Sequence, residues 1–245
     1  MMQRLETILP PGTIDVKPRK VDTIFSFLHG GEPRPGSAIK RFNIIYRNDK
    51  NLARVIGHEE SLLEQLRADI ALCVAEMSPT YFFVHAGVVE WDGRAIVIPG
   101  KSQSGKSRLV TELVRAGARY YSDEYAVFDK FGRILPFSRP IHYRDEDESG
   151  QIRERVIPVD QIGGVSGTKP IPVGTVLLTK YQPGMSWHPR GLSSGKAILK
   201  ILKNSVSVRR KPDVVMEVLQ RAVDAAKIVG SFRGEASEIV RWALK

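Results

Sequence analysis

Residues 95–110 read Ala95-Ile96-Val97-Ile98-Pro99-Gly100-Lys101-Ser102-Gln103-Ser104-Gly105-Lys106-Ser107-Arg108-Leu109-Val110. A strand-sized apolar run breaks at Gly100, passes through small and polar residues, and resumes as Leu109, Val110 and Leu113 at helical spacing. Gly100 to Ser107 fits G-x-x-x-x-G-K-[ST], and the strand-then-helix setting is the one that gives this pattern its meaning. The glycines let successive backbone N–H groups turn inward toward phosphate oxygens. Lys106 brings a charge to the β- and γ-phosphates, Ser107 a hydroxyl for Mg²⁺, and the following helix its N-terminal dipole. Typical residue frequencies make the pattern about a 1% event in a chain of this length. The stretch Gly100, Lys101, Ser102, Gln103, Ser104, Gly105, Lys106, Ser107 and Arg108 is therefore expected to bind a nucleotide.

Upstream, residues 81–90 are strand-like, and Trp91-Asp92-Gly93-Arg94 carries the Asp-Gly signal of a tight hairpin turn. His85 sits in the middle of that strand, where a lone histidine is usually a satisfied core or surface residue. Downstream, 107–116 reads as a helix with Gly117 at the position after its end, where positive φ is wanted. A strand at 119–121 then closes on Ser122-Asp123-Glu124. A carboxylate at a strand end beside such a loop holds Mg²⁺ directly or through water, or takes a proton from an attacking hydroxyl. Tyr125 and Val127 suggest a further strand, and 129–133 another hairpin turn.

Farther out, 1–57 is rich in Pro and Gly, with short strands expected near 22–28 and 41–47. Residues 59–77 read as an amphipathic helix on Leu62, Leu63, Leu66, Ile70, Val74 and Met77, with Cys73 a small core residue beside the stripe. Residues 145–170 are polar and Gly-rich and read as loop, 175–178 as a buried strand, and 193–204, 212–229 and 236–244 as helices. The interleaving gives an α/β or mixed α+β class. The expected organisation is a basic, β-rich extension over 1–57, packed on a core domain over 58–245.

The chain has 245 residues, 42% hydrophobic and 26% charged, which excludes wholesale disorder and a disulfide scaffold. Its single cysteine forms no intrachain disulfide. No apolar run approaches membrane length, and the first residues lack a signal-peptide pattern, so a soluble cytoplasmic protein is expected. The net charge is +10. Residues 58–144 balance, whereas 1–57 and 149–211 carry the excess. Lys196, Lys200 and Lys203 fall on one helix face, with Ile198, Leu199 and Leu202 expected to point elsewhere, and Arg209-Arg210-Lys211 follows. The stretch reads as a solvated face, as a dock for an acidic partner or peptide, or as a nucleic-acid contact. No helix-turn-helix, zinc-ligand spacing or aromatic RNA-binding signature supports the last.

His85-Ala86-Gly87-Val88-Val89, the loop 100–107, Arg115-Ala116-Gly117-Ala118-Arg119 and Ser122-Asp123-Glu124 together resemble the catalytic domain of bacterial HPr kinase/phosphorylase over about residues 81–129. That resemblance implies the mixed-sheet P-loop fold shared with ATP-dependent phosphoenolpyruvate carboxykinases. It also implies ATP and Mg²⁺, and transfer of the γ-phosphoryl to a Ser/Thr hydroxyl of a protein or peptide. By the same resemblance His85 lies near the transferred phosphoryl, Lys106 contacts it, and Asp123 is the general base. Ser107 and Asp123 then stand on the metal side, and Glu124, where the family has a second Asp, is either a Mg²⁺-side carboxylate or one that supports the metal's ligands from outside. The family's later L-E-x-R-G-x-G signature is replaced by Leu135-Pro136-Phe137-Ser138-Arg139-Pro140-Ile141. This form is similar to short HPr-kinase-related proteins, some of which phosphorylate a precursor peptide, and it moves the expected acceptor away from HPr. Arg139 reads equally as a phosphate clamp and as a structural arginine. Two other readings stand beside the kinase: a nucleotide-binding regulator or scaffold without phosphoryl transfer, and a small-molecule kinase with 145–167 as its lid.

Overall fold

The computed structural model describes residues 8–31, 36, 40–56, 59–101, 104–146, 152–206, 208 and 212–245, by backbone alone at 59, 144–146 and 152–154. The chain forms two units, Met1–Val74 and Ala75–Lys245. In the first, β1 (Phe25–Leu28), β2 (Asn43–Arg47) and β3 (Lys50–Val55) make an antiparallel sheet in that order. Helix α1 (Glu59–Met77) buries Leu62, Leu63 and Leu66 with Ile8 and Ile45. The apolar stripe does not run the full helix: Val74 and Met77 are exposed, while Cys73 is buried and its Sγ accepts a 3.3 Å hydrogen bond from Arg47.

The second unit is built on the hairpin β4 (Phe82–Trp91) and β5 (Arg94–Pro99). Asp92 and Gly93 both take positive φ, 50° and 71°, the turn geometry whose twist suits the two strands. The chain continues through α2 (Lys106–Arg115), β6 (Arg119–Ser122), β7 (Tyr125–Phe128), β8 (Ile134–Leu135), β9 (Ile141–Glu146), β10 (Ile152–Ile157), β11 (Val173–Tyr181) and β12 (Arg190–Gly191). It ends with α3 (Ser194–Leu202), α4 (Pro212–Asp224), β13 (Lys227–Arg233) and α5 (Ala236–Ala243). Eight strands form one mixed sheet, β12-β13-β11-β5-β4-β7-β8 with β6 also on β4. β5, β11 and β13 are parallel, and the other pairs are antiparallel.

Period-two alternation sorts the strands onto two faces. Val84, Ala86 and Val88 of β4 pack with Ile198 and Ile201 of α3 and Leu219 of α4. Val89, Ile96 and Ile98 pack on the opposite face with Leu109, Val110 and Leu113 of α2 and Ile239 of α5. A sheet covered on both faces by helices is an α/β arrangement with a mixed sheet.

Three expectations change here. Residues 145–170 are not all loop: β9 and β10 pair as an antiparallel hairpin from Ile141↔Ile157 to Glu146↔Ile152, and a single 3₁₀ turn follows at Val159–Ile162. Half of that hairpin's residues are charged, so no apolar alternation marks it. The helix expected over 212–229 stops at Asp224, and Ile228 and Val229 belong to β13. Their apolar character fits either period, and parallel pairing with β11 decides it. Leu199 lies on the basic side of α3 at 60% exposure, while Ala197, Ile198 and Ile201 turn inward.

Candidate functional site

β4 is ten residues long and carries two partners along one edge. Phe82 to His85 pair with β7, and Val88 to Glu90 pair with β6. The chain passes from β6 to β7 through Asp123 and Glu124, so both acids are forced opposite the middle of β4. Ala86 N–H donates to the Glu124 carbonyl at 3.2 Å and is paired in register with Pro99 on its other side. Pro99 ends the strand that enters the glycine loop. The acids and the loop are thus neighbours because each borders the same residue of β4.

Ser122 shapes the bend. It is buried, and its Oγ accepts from the N–H groups of Glu124 (3.1 Å) and Tyr125 (2.9 Å). Such a hydroxyl replaces the backbone partners that the turn removes.

The loop itself closes tightly. A Cβ on Gly100 would stand 2.7 Å from Ser104 Oγ. Gly105 has φ +78°, the left-handed region that other residues avoid, and it caps the start of α2. Lys106 Nζ reaches back to the Lys101 carbonyl at 2.6 Å. Ser102 and Gln103 lie outside the described residues. Ser107 Oγ donates to Asp123 Oδ2 at 2.9 Å, and the Tyr120 hydroxyl donates to Asp123 Oδ1 at 2.9 Å. Lys106 and Asp123 are each only 8% exposed.

Burial sets the electrostatics. It lowers the Lys106 ammonium to about 8, against the pull of Asp123 and Glu124. It raises the Asp123 carboxyl, and the hydrogen bonds from Tyr120 and Ser107 work against that rise. His142 on β9 is near enough for its charge to favour ionised Asp123. Tyr120 is pushed well above its ordinary value by burial and then by Asp123, so it stays a protonated donor. Burial, then the Lys106 charge, holds His85 below 6.5, with Glu124 opposing, so its imidazole is neutral at pH 7.

His85 packs against the ring of Tyr125 with centroids 4.7 Å apart and planes tilted by 33°, and Tyr125 meets Phe137 edge-on at 5.8 Å. Its carbonyl accepts the Gly100 N–H at 3.1 Å, and its own N–H donates to the Asn204 carbonyl at 2.8 Å. Arg139 is buried and approaches Glu124 Oε2 at 3.9 Å, so it neutralises the second acid of the bend. Of the sequence-selected residues, Lys106, Ser107, Asp123, Glu124 and His85 come together, with Gly100, Lys101, Ser104 and Gly105 forming the loop. Arg108 sits in the first turn of α2.

The oxygen donors gathered here are the Ser107 hydroxyl and the carboxylates of Asp123 and Glu124. These are hard ligands of the kind that suits Mg²⁺, which takes one or two carboxylates and fills its remaining positions with water and phosphate. Among the described residues, no cluster of three or more His, Cys, Asp or Glu side chains is placed to hold a metal ion.

Tyr120, His142 and Arg233 were not singled out by sequence. Tyr120 precedes Asp123 by three residues across a bend, which is a readable spacing once the bend is known. Arg233 ends β13, and the carboxyl ends of parallel strands are where α/β sheets build sites. That signal depends on recognising β13 as a strand.

No protein-family model matches the chain, and no curated protein matches it. No helix among the described residues is long and apolar enough to cross a membrane.

Proposed function

We propose that this chain is an ATP-dependent kinase, similar in its site to HPr kinase, that transfers the γ-phosphoryl of ATP to a Ser/Thr hydroxyl of a protein or peptide. The observation carrying this reading is the convergence of Lys106, Ser107 and Asp123, with Ser107 bonded to Asp123 at 2.9 Å at the mouth of a glycine loop that opens a helix. The loop amides, Lys106 and the start of α2 bind the phosphates. Ser107 and Asp123, with Glu124 nearby, would hold Mg²⁺, which would supply positive charge to offset that of the phosphates. Asp123 takes the proton from the acceptor hydroxyl as its oxygen bonds to the γ-phosphorus. The bond from phosphorus to the β–γ bridging oxygen then breaks, and ADP leaves. Burial raises the Asp123 carboxyl toward the range useful for a base. Neutral His85 donates a hydrogen bond near the transferred group without adding charge. Most of the acceleration comes from position and charge stabilisation.

The basic side of α3 supports a protein or peptide acceptor that is acidic. Lys196, Lys200 and Lys203 are exposed around Leu199, and Asn204, just beyond that helix, is bonded to His85. Residues 209–211 lie outside the described residues.

The test is Asp123→Asn in purified protein with Mg-ATP and candidate acceptors. The variant is expected to bind ATP as the wild type does and to lose phosphoryl transfer. A wild-type chain that binds ATP while neither it nor the variant transfers phosphate, with biological activity intact in both, makes it a nucleotide-dependent regulator instead. Transfer to metabolites alone makes it a small-molecule kinase.

A further inference from the structure

Arg233 is among the most buried charged side chains of the second unit, at 2% exposure. It stands at the carboxyl end of β13, in register with Tyr181 at the carboxyl end of β11. Its Nη2 donates to the Gly105 carbonyl at 2.9 Å, and Nη1 donates to the Gly234 carbonyl at 3.2 Å. The guanidinium lies over the Tyr181 ring at 5.3 Å. Nε is buried with no hydrogen-bond partner, and among the described residues Arg233 joins no ion pair. The Gly105 carbonyl also accepts the Leu109 N–H at 3.2 Å, in the first turn of α2. Arg233 therefore grips the hinge between loop and helix from a position 128 residues away in sequence.

We propose that Arg233 is a positioning residue of the phosphate loop: it fixes the backbone at Gly105 and holds beneath the loop a positive charge whose counter-charge arrives with a bound polyphosphate. This rests on the nucleotide reading above. A purely structural buried arginine is ordinarily paired with a carboxylate, because an isolated buried charge costs stability. Here its hydrogen bonds go to two carbonyls, which satisfy donors but leave the charge in place. Burial lowers the guanidinium from its ordinary value against the opposing pull of Tyr181 and Glu235, with Arg108 adding to the fall. Such a cost is retained where function uses it. The fit at Gly105 is mutual: a Cβ there would come within 2.5 Å of Arg233 Nη2. The loop glycine and the arginine thus form one unit.

The experiment compares wild type, R233M and R233K by thermal unfolding without ligand, by calorimetric titration with Mg-ATP and with inorganic pyrophosphate, and by steady-state kinetics. R233M is expected to melt no lower than wild type, to bind both ligands at least tenfold more weakly, and to raise KM for ATP more than it lowers kcat. R233K, with the charge but not the fork, is expected to fall between the two. An R233M that melts well below wild type, or fails to fold while R233K binds pyrophosphate as wild type does, shows a structural arginine and overturns the proposal. So does an R233M that folds and binds pyrophosphate with wild-type affinity. Wild-type protein that binds neither ligand overturns the nucleotide reading, and this proposal with it.

Discussion

Replacing Lys106 by methionine should stabilise the free protein at neutral pH, and the gain should vanish in alkali. Folding moves the ammonium from water, where its value is 10.5, to a buried place where it is about 8. Below about pH 8 both states hold the proton, and the folded state carries the whole cost of burying it. Between about 8 and 10.5 the folded protein has lost a proton that the unfolded chain still holds, so wild-type stability rises with pH across that window. At ~1.4 kcal/mol per pH unit, the displacement corresponds to ~3 kcal/mol. Methionine fills similar space without titrating, but forfeits the bond to the Lys101 carbonyl, worth ~1 kcal/mol. K106M should therefore exceed wild type by ~2 kcal/mol at pH 7 and fall slightly below it near pH 10.5.

Urea unfolding of both proteins at a series of pH values reads this directly, because titrating groups that do not interact with Lys106 cancel in the difference. A difference that stays constant from pH 7 to 10.5, or one with wild type ahead at pH 7, refutes the reasoning. The same argument fixes the sign for ligand. A polyphosphate bound over Lys106 favours the charged amine, so wild-type affinity should fall about tenfold per pH unit above pH 8, and K106M should be weak and flat.

Three other changes probe the acids and the acceptor. Tyr120→Phe removes a bond that favours ionised Asp123, so the acid limb of the phosphoryl-transfer pH profile should move to higher pH while nucleotide affinity holds. Ser122→Ala strips the partner from two N–H groups at the bend and should cost ~1–3 kcal/mol in denaturant unfolding, with transfer falling more than nucleotide binding. Reversing charge at Lys196, Lys200 and Lys203 together should raise KM for an acidic peptide acceptor at least tenfold and leave Mg-ATP affinity unchanged, as measured by peptide phosphorylation and titration.

The core of the second unit was legible because its signals are local. The apolar run 95–99, Asp92-Gly93 and Gly117 each specify a strand, a turn or a helix end through a few adjacent residues, and β4, β5 and α2 lie where those signals put them. What the sequence hid depends on distant partners. The hairpin of β9 and β10 has too many charged residues to show a period, and β13 looks helical until β11 lies beside it. The site divides in the same way. Lys106, Ser107, Asp123 and Glu124 are named by motif and spacing. Arg233 has no motif, and its relation to Gly105 exists only once β13 has paired beside β11.

The charge distribution makes the same point. Residues 58–144 balance to zero, as do residues 212–245, so segment totals place the positive excess away from the loop. Totals weigh every charge alike, and folding does not. Glu124 is matched by Arg139, and the Asp123 carboxylate is shared between Ser107 and Tyr120. Lys106 and Arg233 meet carbonyl oxygens instead, out of water, where a charge acts with less screening. Asp123 keeps its charge under two neutral donors and offsets Lys106, so the positive charge brought to the loop from outside its own segment is that of the buried Arg233 rather than of the surface. On the kinase reading proposed above, the exposed lysines of α3 are then not needed to hold the nucleotide. They stand beside Asn204, one hydrogen bond from His85, where an acidic acceptor would enter.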